Sequence, residues 1–185
     1  CSSDLSFPLR MILHVDANGV VRLLSQVYIG KIAGSAAEVG LSTRESSLQA
    51  DQKAAAIRLS SGHLPLDLIV SASRGTFALG SFLDFGPITV AYNSPTNPFV
   101  HTYHPDHDNR DAKFNAVGAG VESYSVARSI RFSFFSASQL LAPDPDSASW
   151  GASKMVGGYT ETITGLRRDA IVSGGTFELR RVKIG

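Results

Sequence analysis

The 185 residues carry 17 basic and 16 acidic side chains, for a net charge of +1. That balance excludes an electrostatic grip on nucleic acid or on an anionic membrane, which needs clustered Lys and Arg. The densest basic spots are the pairs Arg167-Arg168 and Arg180-Arg181. The apolar runs are strand-sized, so a transmembrane segment is not expected, and Cys1, the only cysteine, leaves no internal disulfide.

Cys1 is followed by Ser2-Ser3-Asp4, which looks like the mature end of a bacterial lipoprotein whose thiol carries lipid; a cleavage boundary is the plainer reading. The absence of an initiator Met points to a mature or excised chain. The first element runs from Pro8 to Val15, with Leu9, Met11, Leu13 and Val15 on one side of an extended chain. Asp16-Ala17-Asn18-Gly19 then predicts a hairpin with a type I′ turn, and the chain resumes as Val20 to Ile29. Apolar residues on both faces predict that this hairpin is central or covered on both sides. Lys31 to Gly40 reads as a loop. Thr43 to Arg58 is the one helical stretch, with Ala54-Ala55-Ala56 favouring helix, Ser46 or Ser47 capping it, and Leu48 and Ile57 facing the core.

Strand patterns return at Leu64 to Ser71, Thr76 to Phe82 and Pro87 to Ala91, punctuated by Gly75, Gly80 and Gly86. Asn93 to Ala119 is a long polar stretch of the kind that tends to carry function. Glu122 to Phe135 is expected to be the longest strand. Tyr124, Val126, Ile130, Phe132 and Phe134 alternate there with mostly small polar residues. Arg128 breaks the apolar face, which places it near a carboxylate or at a sheet rim. Tyr159 to Ile163 and Thr176 to Ile184 complete the strands. Gly157-Gly158 and Gly174-Gly175 mark their entries, and a change of parity at Arg180-Arg181 suggests a bulge.

Together these elements predict an all-β fold: one antiparallel β-sandwich domain over 1–185, jelly-roll or immunoglobulin-like, with one short helix.

One segment concentrates chemistry-bearing side chains, His101 to Asp111. Asp106, Asp108, Asn109 and Asp111 offer the hard oxygen donors of a calcium loop. The match to an EF-hand is partial: position 110 is Arg, the turn glycine is missing and no Glu closes the loop. His101, His104 and His107 offer a transition-metal set. Pro105 biases His104 away from helix, and an extended chain points His104 opposite to the other two, so His14 or His63 would have to complete that set. Turn chemistry without a metal accounts for the same residues, because Asp and Asn cap nearby backbone amides. Trp150, Tyr159, Tyr92 and Tyr103 are candidates for an aromatic platform that grips a glycan; packing of Trp150 over a sheet edge is the alternative. No G-x-S-x-G elbow, HExxH, P-loop or dinucleotide fingerprint occurs, and the five glutamates suggest no facing pair for a glycosidase.

Phe7-Pro8-Leu9-Arg10, His104-Pro105-Asp106-His107-Asp108-Asn109 and Gly157-Gly158-Tyr159-Thr160-Glu161-Thr162-Ile163 resemble segments of uncharacterised domains in large secreted proteins of environmental bacteria. The resemblance implies an extracellular or cell-surface setting and transfers no activity. The expectation is therefore a non-catalytic secreted module for adhesion, surface assembly or glycan binding, with a glycan, another surface protein or a second copy as partner. A calcium ion in the 101–111 loop and a lipid anchor at Cys1 fit that expectation. The alternative is a metal-dependent enzyme using the His/Asp cluster.

Overall fold

The computed structural model describes residues 8–62, 64, 68–91, 94, 97, 101–102, 121–122, 125–136, 138, 153–166 and 169–182. The fold is all-β and antiparallel with one short helical segment, the class that the alternation predicts. The chain divides into two compact units, Cys1–Ser71 with Val182–Gly185, and Ala72–Arg181.

In the first unit, β1 (Ile12–Val15) and β2 (Val21–Leu24) form the predicted hairpin, with Val15 opposite Val21. The turn differs from type I′. Gly19 donates to the Asp16 carbonyl at 2.9 Å, Asp16 donates to the Val20 carbonyl at 3.1 Å, and only Gly19 has positive φ, at 78°. This is a three-residue loop closed by a left-handed glycine. The Asp16 carboxylate selects it by accepting from the Asn18 and Val20 amides at 3.0 and 2.9 Å and from Arg22 Nη1 at 2.7 Å.

The strand β2 lies between β1 and the Ile69–Ser71 part of β6 (Ile69–Gly75), and its Val21, Leu23 and Leu24 are buried. Being covered on both sides is therefore true of β2 alone. Among the described strands β1 is an edge, and His14 and Val15 are exposed. Ser25 donates to the Leu68 carbonyl and accepts from the Ser61 amide. Beyond it the chain becomes β3 (Gln26–Gly30), flanked by β4 (Gly40–Ser42) and β5 (Ile57–Ser60).

The helical segment is wound as two 3-10 turns, Glu45–Ser47 and Ala50–Ala55. Neither start has a side-chain cap: Ser46 and Ser47 sit inside the first turn instead of before it. Leu48, between the turns, is buried as predicted, whereas Ile57 is 59% exposed. Ala56 is already extended, so Ile57 follows the parity of β5 and not a helical period.

In the second unit, Ala72–Gly75 of β6 pairs with β7 (Phe82–Val90). Thr76 to Ser81 is the loop between them, not a strand: Thr76 donates to the Phe82 carbonyl and closes it. His101–Thr102 and Val121–Glu122 pair as β8 and β9. The order then runs from β7 to β10 (Val126–Phe134), β11 (Lys154–Thr164) and β12 (Ile171–Arg180). The longest strand is β11, at 11 residues, so Gly157-Gly158 and Gly174-Gly175 lie within strands and not at their entries. The parity change at Arg180-Arg181 marks the end of β12 and not a bulge; the register shifts instead between β7 and β10, at Arg128/Ile130, and between β6 and β7, at Ala72/Arg74.

One face of this sheet is the core. Val126, Ile130, Phe132 and Phe134 are buried on the predicted parity. Phe132 sits at the centre, its ring edge-on to Phe85 at 6.0 Å, Tyr159 at 5.6 Å and Phe177 at 5.1 Å. Burial of such side chains contributes roughly 1.5–3 kcal/mol each. Gly157 makes the Phe177 contact feasible, because a Cβ there would fall on the Ser133 carbonyl and 2.7 Å from the Phe177 ring.

Candidate interaction surface

The predicted His/Asp cluster and most of the aromatic platform fall outside the described residues. These are His104, Asp106, His107, Asp108, Asn109 and Asp111 with Tyr92, Tyr103 and Trp150; of His101 only the backbone is described, paired with Glu122 in β8 and β9. Among the described residues no group of three His, Cys, Asp or Glu is placed to hold a metal, and no helix is long and apolar enough to cross a membrane.

Tyr159 is described, and it corrects its assignment. It is 7% exposed and cannot lie flat under a sugar ring. Its even-spaced neighbours Met155, Gly157 and Glu161 share the core face of β11, and that parity carries Tyr159 inward. Its hydroxyl donates to Glu161 Oε2 at 2.8 Å. Burial and the adjacent Glu161 carboxylate push its phenol well above the usual range. Glu161 is 2% exposed and accepts from Arg128 Nε at 2.5 Å. Arg128 thus finds the carboxylate that its place on an apolar face demands. The three side chains form a buried polar cluster that aligns β10 with β11, where Arg128 stands opposite Ile163 and Ile130 opposite Glu161.

The other face of the sheet is polar and exposed. Asp84 on β7 accepts from Arg131 Nε at 2.6 Å, from Arg131 Nη2 at 2.8 Å and from Arg74 Nη2 at 3.2 Å. The hydrogen bonds from Arg131 hold its carboxyl below the usual carboxylate range, with Arg74 adding to the effect. The Arg131 guanidinium also lies over the Phe82 ring, 4.7 Å from its centroid. Toward β12 the side chains shrink, because Arg131 stands beside Thr160 and Thr160 beside Gly174.

Among the described strands, β12 ends the sheet. It pairs with β11 along its whole length, from Ile171 opposite Ile163 to Arg180 opposite Lys154. Beyond it, the Arg181 amide donates to the Ser153 carbonyl at 2.7 Å. In an antiparallel ladder, residues of one parity turn both backbone groups to the same neighbour. Hence Ile171, Ser173, Gly175, Phe177 and Leu179 bond to β11, and Val172, Gly174, Thr176 and Glu178 turn their N–H and C=O groups away from it. Those same residues are exposed, and Val172 is 68% so. Glu178 accepts from Arg180 Nε at 2.5 Å and lies 3.4 Å from Lys154 Nζ. The Arg180 bond holds its carboxyl below the ordinary range, with Lys154 adding to the effect.

The first unit offers a second exposed feature. Ile29 on β3 is paired with both Leu41 and Ile57, so all three share one face, and Leu41 and Ile57 are exposed. Exposed apolar rows of this kind mark interaction surfaces when they join into a patch. Sequence reasoning missed both features. Strand order and edge position depend on pairings between distant segments, which no local pattern encodes.

Comparison with family models, with curated proteins and with solved structures finds no match.

Proposed function

We propose that the chain is a non-catalytic module for surface assembly and adhesion outside the cell, engaging another protein chain by strand addition along β12. The observation that carries this reading is the edge that β12 forms among the described strands, with the outward backbone groups of Val172, Gly174, Thr176 and Glu178 on an exposed strand. Unpaired N–H and C=O groups in a row are a template for another strand. Main-chain hydrogen bonds then supply affinity and alternate side chains supply specificity. The low charge and the resemblance to secreted domains favour the extracellular setting. Among the partners that the sequence suggested, a protein chain is favoured over a glycan, because the described member of the aromatic platform is buried.

The test is binding of a capped, fluorescein-labelled peptide with the sequence of Ile171–Arg180, read by anisotropy against the full chain. A saturable rise in the micromolar range is expected. The Thr176→Pro variant should lose it while keeping its far-UV circular dichroism, because the Thr176 amide points away from β11 and proline is tolerated on an edge. An absence of saturation up to millimolar protein, or undiminished binding by Thr176→Pro, would contradict the proposal.

A further inference from the structure

We infer that the chain added to β12 is a second copy of this protein, paired antiparallel about a two-fold axis at Gly175. This rests on the strand-addition reading and names its partner. The direction of the backbone groups restricts the pairing first. Val172, Gly174, Thr176 and Glu178 point outward, and hydrogen-bonded pairs can form only where an outward residue meets an outward residue. With the axis at Gly175, Val172 meets Glu178 and Gly174 meets Thr176, each twice by symmetry. Every residue from Ile171 to Leu179 is then paired.

Side chains select among the registers that parity allows. At Gly175 the axis sets Ile171 against Leu179 at both ends of the seam, on the face that carries the core side chains of β11. Cross-strand apolar pairs of this kind contribute favourably to a sheet. Moving the axis to Thr176 sets Leu179 against Ser173 and Arg180 against Val172. Moving it to Glu178 sets that carboxylate against its own copy, and like charges directly opposite are destabilising.

Charge fits the same register. Each copy holds Glu178 between its own Arg180 and Lys154. The axis at Gly175 separates the two clusters by six residues along the strand, roughly 20 Å at the usual rise, which exceeds the screening length of about 8 Å at physiological salt. The middle of the seam is Gly174-Gly175, where a Cβ added at Gly175 would meet nothing within 4 Å. Paired glycines weaken a strand interior unless another backbone approaches closely, and the two-fold supplies that approach.

The experiment is sedimentation velocity of the full chain across concentration, with disulfide trapping beside it. Wild type should pass from monomer to dimer, and Thr176→Pro should stay monomeric with unchanged circular dichroism. In a Cys1→Ser background, Gly175→Cys should oxidise to a covalent dimer. Opposed residues of a pair without hydrogen bonds lie about 4.5 Å apart at Cα, within disulfide reach. Val172→Cys, which meets Glu178, should not cross-link. A wild type that stays monomeric, or equal cross-linking at Val172, overturns the inference. A monomer that still binds the β12 peptide removes only the second copy, whereas a monomer that binds no peptide removes the strand-addition reading as well.

Discussion

Replacing Arg128 with methionine is expected to destabilise the protein by about 3–5 kcal/mol, the usual loss when one partner of a buried ion pair is removed. Methionine nearly matches the arginine stem in length, so the change leaves little empty volume. It strips Glu161, 2% exposed, of the guanidinium that bonds it at 2.5 Å. The Tyr159 hydroxyl remains, and its neutral O–H does not replace the charge of the guanidinium in offsetting the desolvation of a carboxylate. Adding Glu161→Gln to Arg128→Met should recover most of the loss, because glutamine is uncharged and still accepts from Tyr159. Denaturant unfolding followed by circular dichroism checks both variants. A loss under about 1 kcal/mol for Arg128→Met, the range of exposed pairs, would show that the cluster contributes as a surface pair does.

Phe132→Ala should cost a similar amount, about 3–5 kcal/mol. The ring is enclosed by Phe85, Tyr159 and Phe177, each edge-on, and these partners stand on three different strands. Removing it leaves a cavity that the flanking rings can fill only by leaving their own contacts. Ser133→Ala, one residue on and on the exposed face, should shift stability by less than about 0.5 kcal/mol. A midpoint for Phe132→Ala within error of that control would remove Phe132 from the centre of the core.

The pair of results would also measure how far period-two reasoning reaches. The face of β10 was legible from Val126, Ile130, Phe132 and Phe134, because alternation over nine residues admits one extended reading. The Arg128 carboxylate partner was legible as one of two readings, the other being a sheet rim, since a charge on an apolar face must be compensated or reach water. The hairpin at Asp16-Ala17-Asn18-Gly19 was legible as a hairpin but not as a turn type. Asn-Gly favours type I′ locally, and the Asp16 carboxylate redirects it by accepting the Asn18 and Val20 amides. Tyr159 was misassigned because, as the first residue of a strand entered from Gly157-Gly158, it has no fixed face until β11 is known to begin at Lys154. The edge position of β12 was not legible at all. It follows from β11 lying between β10 and β12, a pairing set by contacts far apart in sequence.

Amide hydrogen exchange along β12, followed residue by residue by NMR, tests the open edge most directly. In dilute protein the amides of Ile171, Ser173, Gly175, Phe177 and Leu179 should be protected by their bonds to β11. Those of Val172, Gly174, Thr176 and Glu178 should exchange near the free-peptide rate and gain protection as concentration rises. Uniform protection of both sets at the lowest concentration would mean that the edge is already occupied within the monomer, and would contradict the account.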